Sequence, residues 1–112
     1  MPPTVNRSAV VITPKQPFLD WLHSNDPSTS GTTLDDLREP TLYLLPDCED
    51  DQAVAVYLRD YCSNIFRDQL DNWYVQRSTW PPDMGFIVFC HWFEYRVYTV
   101  LRDLYERPLC HD

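Results

Sequence analysis

Glycine is almost missing from this sequence: Gly31 and Gly85 are the only two in 112 residues. Phosphate cradles made of backbone N–H groups, such as the P-loop or the dinucleotide fingerprint, are glycine-rich turns, and neither pattern occurs. Nucleotide binding is disfavoured, and no cofactor is expected. The G-x-S-x-G nucleophile elbow is absent as well. Long apolar runs are lacking: nothing approaches the ~20 residues of a bilayer-spanning helix, and the amino end has no charged-then-apolar leader. Membrane partners are therefore excluded from the reading. Cys48, Cys62, Cys90 and Cys110 are scattered without a CxxC pair, which fits reduced thiols in a cytoplasmic protein.

Positive charge is also scarce. Lys15 is the one lysine, and nine basic residues face seventeen acidic ones for a formal charge of −8. A field of that sign repels phosphate backbones, so direct nucleic-acid binding is disfavoured. It steers a protein with a basic surface toward the chain, and a homodimer is the other assembly considered. Aromatic residues, in contrast, are plentiful. Nine of the sixteen fall between Trp73 and Tyr98: Trp73, Tyr74, Trp80, Phe86, Phe89, Trp92, Phe93, Tyr95 and Tyr98. Ring area on that scale builds a core. A chain of this length forms one domain, 1–112, and buries roughly two thirds of its unfolded surface.

Periodicity orders the elements. The β-branched run at residues 8–13, ended by Pro14, reads as a buried strand. Pro17 suits a first helical turn, and Phe18, Trp21 and Leu22 share one face at i, i+3, i+4. Residues 24–32 read as a flexible surface loop, as does the amino end over 1–5. Thr33 and Asp36 resemble a capping box that opens one helical turn through Arg38. Residues 41–45 form a second strand closed by Pro46. A long helix is expected over 50–72, capped by Asp47, with Glu49, Asp50 and Asp51 in the first turn, where the helix dipole favours negative charge. Its apolar stripe is Val54, Leu58, Tyr61, Cys62, Ile65 and Phe66. Asp83 is placed to cap a helix over 84–92, and alternation over 94–102 predicts a third strand. The order β-α-(α)-β-α-α-β describes an α+β fold, a small three-stranded sheet covered by helices.

Few residues carry candidate chemistry. Asp47, Glu49, Asp50 and Asp51 lack the alternate acids and central glycine of a calcium loop. Cys90-His91 and Cys110-His111 are adjacent pairs, and neighbouring side chains diverge too far to give one zinc ion two ligands. No metal site is assigned. His23 and Asp20, at i, i+3 on one helix, form the candidate imidazole–carboxylate pair of a small hydrolase-type enzyme, with His91 as a second imidazole. Lys15 and Trp21 form a candidate polar and aromatic contact patch.

Asn6-Arg7-Ser8, Lys15-Gln16-Pro17-Phe18-Leu19-Asp20-Trp21, residues 42–46, Trp80-Pro81 and Trp92-Phe93 together resemble a group of short, uncharacterised bacterial proteins. The likeness spans the chain apart from residues 24–32 and the tail after Leu104. It implies a bacterial cytosolic domain and transfers no activity, cofactor or site residue. The functional expectation is a non-catalytic protein-binding or regulatory module with an acidic surface, its binding residues Asp47, Glu49, Asp50, Asp51, Lys15 and Trp21. A narrower variant is an inhibitor whose carboxylates imitate the phosphates of nucleic acid.

Overall fold

The computed structural model describes residues 4–73 and 75–105. Three antiparallel strands form one sheet in the order β2-β1-β3, with β1 at Arg7–Pro14, β2 at Thr41–Pro46 and β3 at Phe93–Tyr98. The helices are α1 (Gln16–Asn25), α2 (Leu34–Leu37), α3 (Asp51–Asp71) and α4 (Phe86–Trp92). The fold is α+β, and the element order is the one its periodicities describe.

Alternation divides the sheet into two faces. Val10 and Ile12 point into the core and are fully buried, with Tyr43, Thr41, Val97 and Tyr95 opposite them in register. Ala9 and Val11 point the other way, between Leu44 and Leu42 on one side and Tyr98 and Arg96 on the other. Helices cover only the first face. Phe18, Phe66, Phe89 and Phe93, each at most 1% exposed, meet at its centre. The Phe66 and Phe93 rings stand 5.1 Å apart at 90°, an edge-to-face contact. Such pairs contribute about 0.5–1.5 kcal/mol beyond the area they bury.

Several boundaries differ from the sequence expectation, each for a tertiary reason. Asp50, and not Asp47, caps α3, accepting the Ala53 N–H at 2.9 Å. The chain just before it is held to β1, because the Cys48 N–H donates to the Ser8 hydroxyl at 3.0 Å. The helix starts only after that anchor. Likewise α4 begins at Phe86, not Met84: the Met84 carbonyl accepts from Ser63 of α3 at 2.9 Å, and Asp83 binds the Gly85 N–H at 2.8 Å. The third strand ends at Tyr98, short of Arg102. Pairing resumes one residue out of register, with Arg102 opposite Thr4 and the Val5 N–H bonded to the Leu101 carbonyl at 2.7 Å. The extra residue lies on the amino-terminal side, where residues 5–8 stand opposite 99–101, as in a bulge.

Residues 24–32 are more structured than expected. Asp26 caps a 3₁₀ turn at Pro27–Thr29, and Thr29 is buried with its hydroxyl on the Asp26 carbonyl at 2.7 Å. The Thr33–Asp36 capping box is present with both of its hydrogen bonds. Those bonds, the Thr33 N–H first, hold the Asp36 carboxyl below the usual range. No helix among the described residues is long and apolar enough to cross a membrane.

Candidate functional site

As the outer strand of β2-β1-β3, β2 leaves one row of backbone groups outside the sheet. Among the described residues, those groups bond to nothing beyond β1, except that the Pro46 carbonyl accepts the Cys48 thiol at 3.1 Å. The strand reads Thr-Leu-Tyr-Leu-Leu-Pro and carries no charge, with Leu42 54% and Leu44 48% exposed.

Alongside β2 lies α3, running antiparallel to it. Tyr43 ties the two together: its hydroxyl donates to Asp68 at 2.5 Å and accepts from the Gln69 amide at 2.9 Å. Gln69 also donates to the Thr41 hydroxyl at 3.0 Å. Burial, then the hydrogen bond to Asp68, pushes the Tyr43 phenol well above its ordinary value. The tyrosine is thus a neutral donor at any physiological pH.

On either side of this tie the edge opens into a cleft. One, of about 580 Å³, is lined by Leu44, Pro46, Asp47, Tyr61 and Ile65 among others. The second, of about 510 Å³, lies at the other end of β2 and is lined by Asp36, Glu39, Leu42, Gln69 and Trp73 among others. Together they form a trough between strand and helix. Its floor is apolar at the first cleft, with Leu45 and Ile65, and largely polar at the second, with Thr41, Gln69 and Asn72, and the Tyr43 tie bridges the two. Asp47 marks one end, Asp68 the middle, and Asp36 with Glu39 the other end. Arg7 is the basic side chain at the first cleft, and its guanidinium bonds Asn6 at 2.7 and 3.1 Å.

The structure divides the sequence candidates. Asp47 lies in the cleft, with Glu49, Asp50 and Asp51 exposed just beyond it at the start of α3. Trp21 is not a surface anchor: it is 8% exposed, packs on Phe18 and Trp92, and donates its indole N–H to the Thr79 carbonyl at 2.9 Å. Its place in the i, i+3, i+4 stripe with Phe18 and Leu22 is a core position. Lys15 is half-buried and serves the fold, with its ammonium on the Cys90 carbonyl at 2.9 Å.

The catalytic pair does not form either. His23 contacts the Thr32 carbonyl at 2.9 Å, while the Asp20 carboxylate accepts from Gln16 at 2.9 Å. His91 is exposed on α4. None of these three side chains lines either cleft of the trough. Among the described residues no three His, Cys, Asp or Glu side chains converge as a metal site would; Cys110-His111 lie outside them. Burial raises the thiols of Cys62 and Cys90 above their ordinary value.

Sequence reasoning overlooked Tyr43, Tyr61, Asp68 and Gln69. A signal existed for the helix. Tyr57, Tyr61, Asn64 and Asp68, at i, i+4, i+7, i+11, make a second face of α3, and all four are exposed. No known family model, curated protein or solved structure matches the chain.

Proposed function

We propose that the chain is a non-catalytic protein-binding or regulatory module of the bacterial cytoplasm, whose β2–α3 side takes a partner with a basic surface. One observation carries the reading: acidic side chains stand at both ends and the middle of a trough, apolar in its first cleft, beside an uncharged edge strand. Apolar lining supplies contact area, and rim carboxylates steer and select a cationic partner. The bacterial setting rests on the sequence resemblance and supports the choice of lysate.

Tagged full chain should retain a partner from bacterial lysate at about 50 mM salt and release it at about 500 mM, where screening shrinks to a few ångströms. Retention should also fail for the Asp47→Lys/Glu49→Lys/Asp51→Lys variant. Asp50 is left intact there because it caps α3. Retention that ignores both salt and these substitutions refutes the reading.

A further inference from the structure

The reading above leaves open how a partner is held. We infer that the partner segment is an extended, cationic stretch of chain that adds to β2 as a fourth strand, with alternate apolar side chains lowered into the trough. This inference rests on the proposed binding role and specifies its mode.

Three observations converge. First, among the described residues the outer edge of β2 bonds only the Cys48 thiol, and the strand carries no charge over Thr41–Pro46. Proteins normally blunt such an edge with a charge or a cover, because it templates pairing with other chains. The other edge strand, β3, follows that habit: Glu94 and Arg96 sit within it. Second, along β2 the helix α3 stands off the edge and leaves clefts at both ends of the strand. A strand's main chain bonds the edge while every second side chain meets the groove, the geometry of strand addition.

Third, charge selects the occupant. The trough is bounded by Asp47 at one end and by Asp36 and Glu39 at the other. A second copy paired antiparallel through β2 would bring Asp47 of one chain against the Glu39 end of its mate. Paired in parallel, it would set Asp47 against Asp47. Like charges directly across a ladder are destabilising. A segment with arginine or lysine at those positions meets opposite charge instead. The acids thus work against self-pairing and for a basic strand.

The test uses full chain and a capped peptide two residues longer than β2, with arginine at both ends and valine alternating with threonine between them, labelled for fluorescence anisotropy. In an extended strand the valine N–H groups all face one edge and the threonine N–H groups the other. Two further peptides carry N-methyl groups, one at every valine and one at every threonine. Strand addition predicts that one methylated form loses about tenfold or more in affinity while the other is little changed, since only one edge bonds β2. It also predicts slowed hydrogen exchange at the β2 amides that do not pair with β1, and weaker binding by Tyr61→Ala, a change on exposed helix surface.

If both methylated peptides bind as the parent does, the contact is side-chain electrostatics alone, and strand addition is overturned while the binding role stands. If the peptide fails to bind although the lysate partner is retained in a salt-dependent way, the inference again falls alone. If the free chain dimerises with β2 exchange already slowed, the occupant is a second copy and the inference is wrong.

Discussion

Removing one oxygen at Tyr43 tests whether the strand and helix of the trough are held together as described. In Tyr43→Phe the ring remains, so packing is conserved. Two hydrogen bonds go, one to the Asp68 carboxylate and one from Gln69. Bonds to charged groups contribute about 1.5–3 kcal/mol and neutral ones about 0.5–1.5 kcal/mol. Asp68 is exposed and regains water, which offsets much of its loss. Gln69 is buried but keeps its bond to Thr41. The balance is a loss of about 1–2 kcal/mol near pH 7, or roughly 4–10 °C in Tm for a domain of this size.

The pH dependence adds a sharper signature. Tyr43 has its pKa raised in the folded protein by burial and by Asp68. Its contribution is fully present below about 10, where unfolded tyrosine starts to ionise, and is lost as pH climbs above that value. Urea melts of wild type and variant from neutral to strongly alkaline pH give the difference curve, in which the other tyrosines cancel. It should be flat below about 10 and shrink above it. A variant equal to wild type within about 0.5 kcal/mol, with no alkaline convergence, would show that the Tyr43–Asp68–Gln69 contact does not hold β2 against α3.

Asp50→Ala should cost about 1 kcal/mol through loss of the α3 cap, whereas Asp47→Ala should stay within about 0.5 kcal/mol of wild type; paired urea melts read the contrast, and equal effects would return the cap to Asp47. Charge placement has its own test in the double variant Asp47→Arg/Arg96→Glu, which keeps the formal charge of −8 while moving negative charge from the trough to the open sheet face. Partner retention should be lost in the double variant and kept in Arg96→Glu alone; retention by both would mean that net charge is sufficient.

Much of the fold is legible because its determinants are local. The apolar stripe from Val54 to Phe66 marks α3, the β-branched run before Pro14 marks β1, and the change from helical spacing to alternation marks the α4–β3 junction at Phe93. The misread positions depend on contacts far apart in sequence. Nothing near Asp47 reveals that Ser8, forty residues away, holds Cys48 and delays the helix. Nothing near Met84 reveals that Ser63 takes its carbonyl. The trough was hidden for the same kind of reason. Residues 41–46 read as a strand from their own composition, but only the order β2-β1-β3 makes that strand an edge. Trp21 differs, since its stripe already placed it in the core.

The charge of −8 describes the molecule poorly at the scale on which a partner meets it. Among the described residues, the open sheet face carries Arg96, and Arg38 reaches onto it to pair with Glu94 at 2.6 Å, whereas Arg7 lines the first cleft near Asp47. Arg96 lies two strand spacings from Leu42, and Asp47 is five residues further along. At about 4.8 Å per strand and 3.3 Å per residue, the two charges are roughly 20 Å apart. Screening at physiological salt acts over about 8 Å, so neither charge is felt at the other's position. Arg96 and the Asp47 end of the trough therefore act on an approaching chain separately. A cationic segment approaching the trough meets Asp47, Asp68 and Glu39 and is attracted. The same segment approaching the open face meets exposed Arg96, and the like charge turns it away. Apolar area is available on both sides of β2, at Leu45 and Ile65 in the first cleft and at Leu42 and Leu44, which border the clefts from the open face. Hydrophobic burial cannot choose between them, because it has no direction. The carboxylates make that choice, and they direct a basic strand to the one edge left uncharged to receive it.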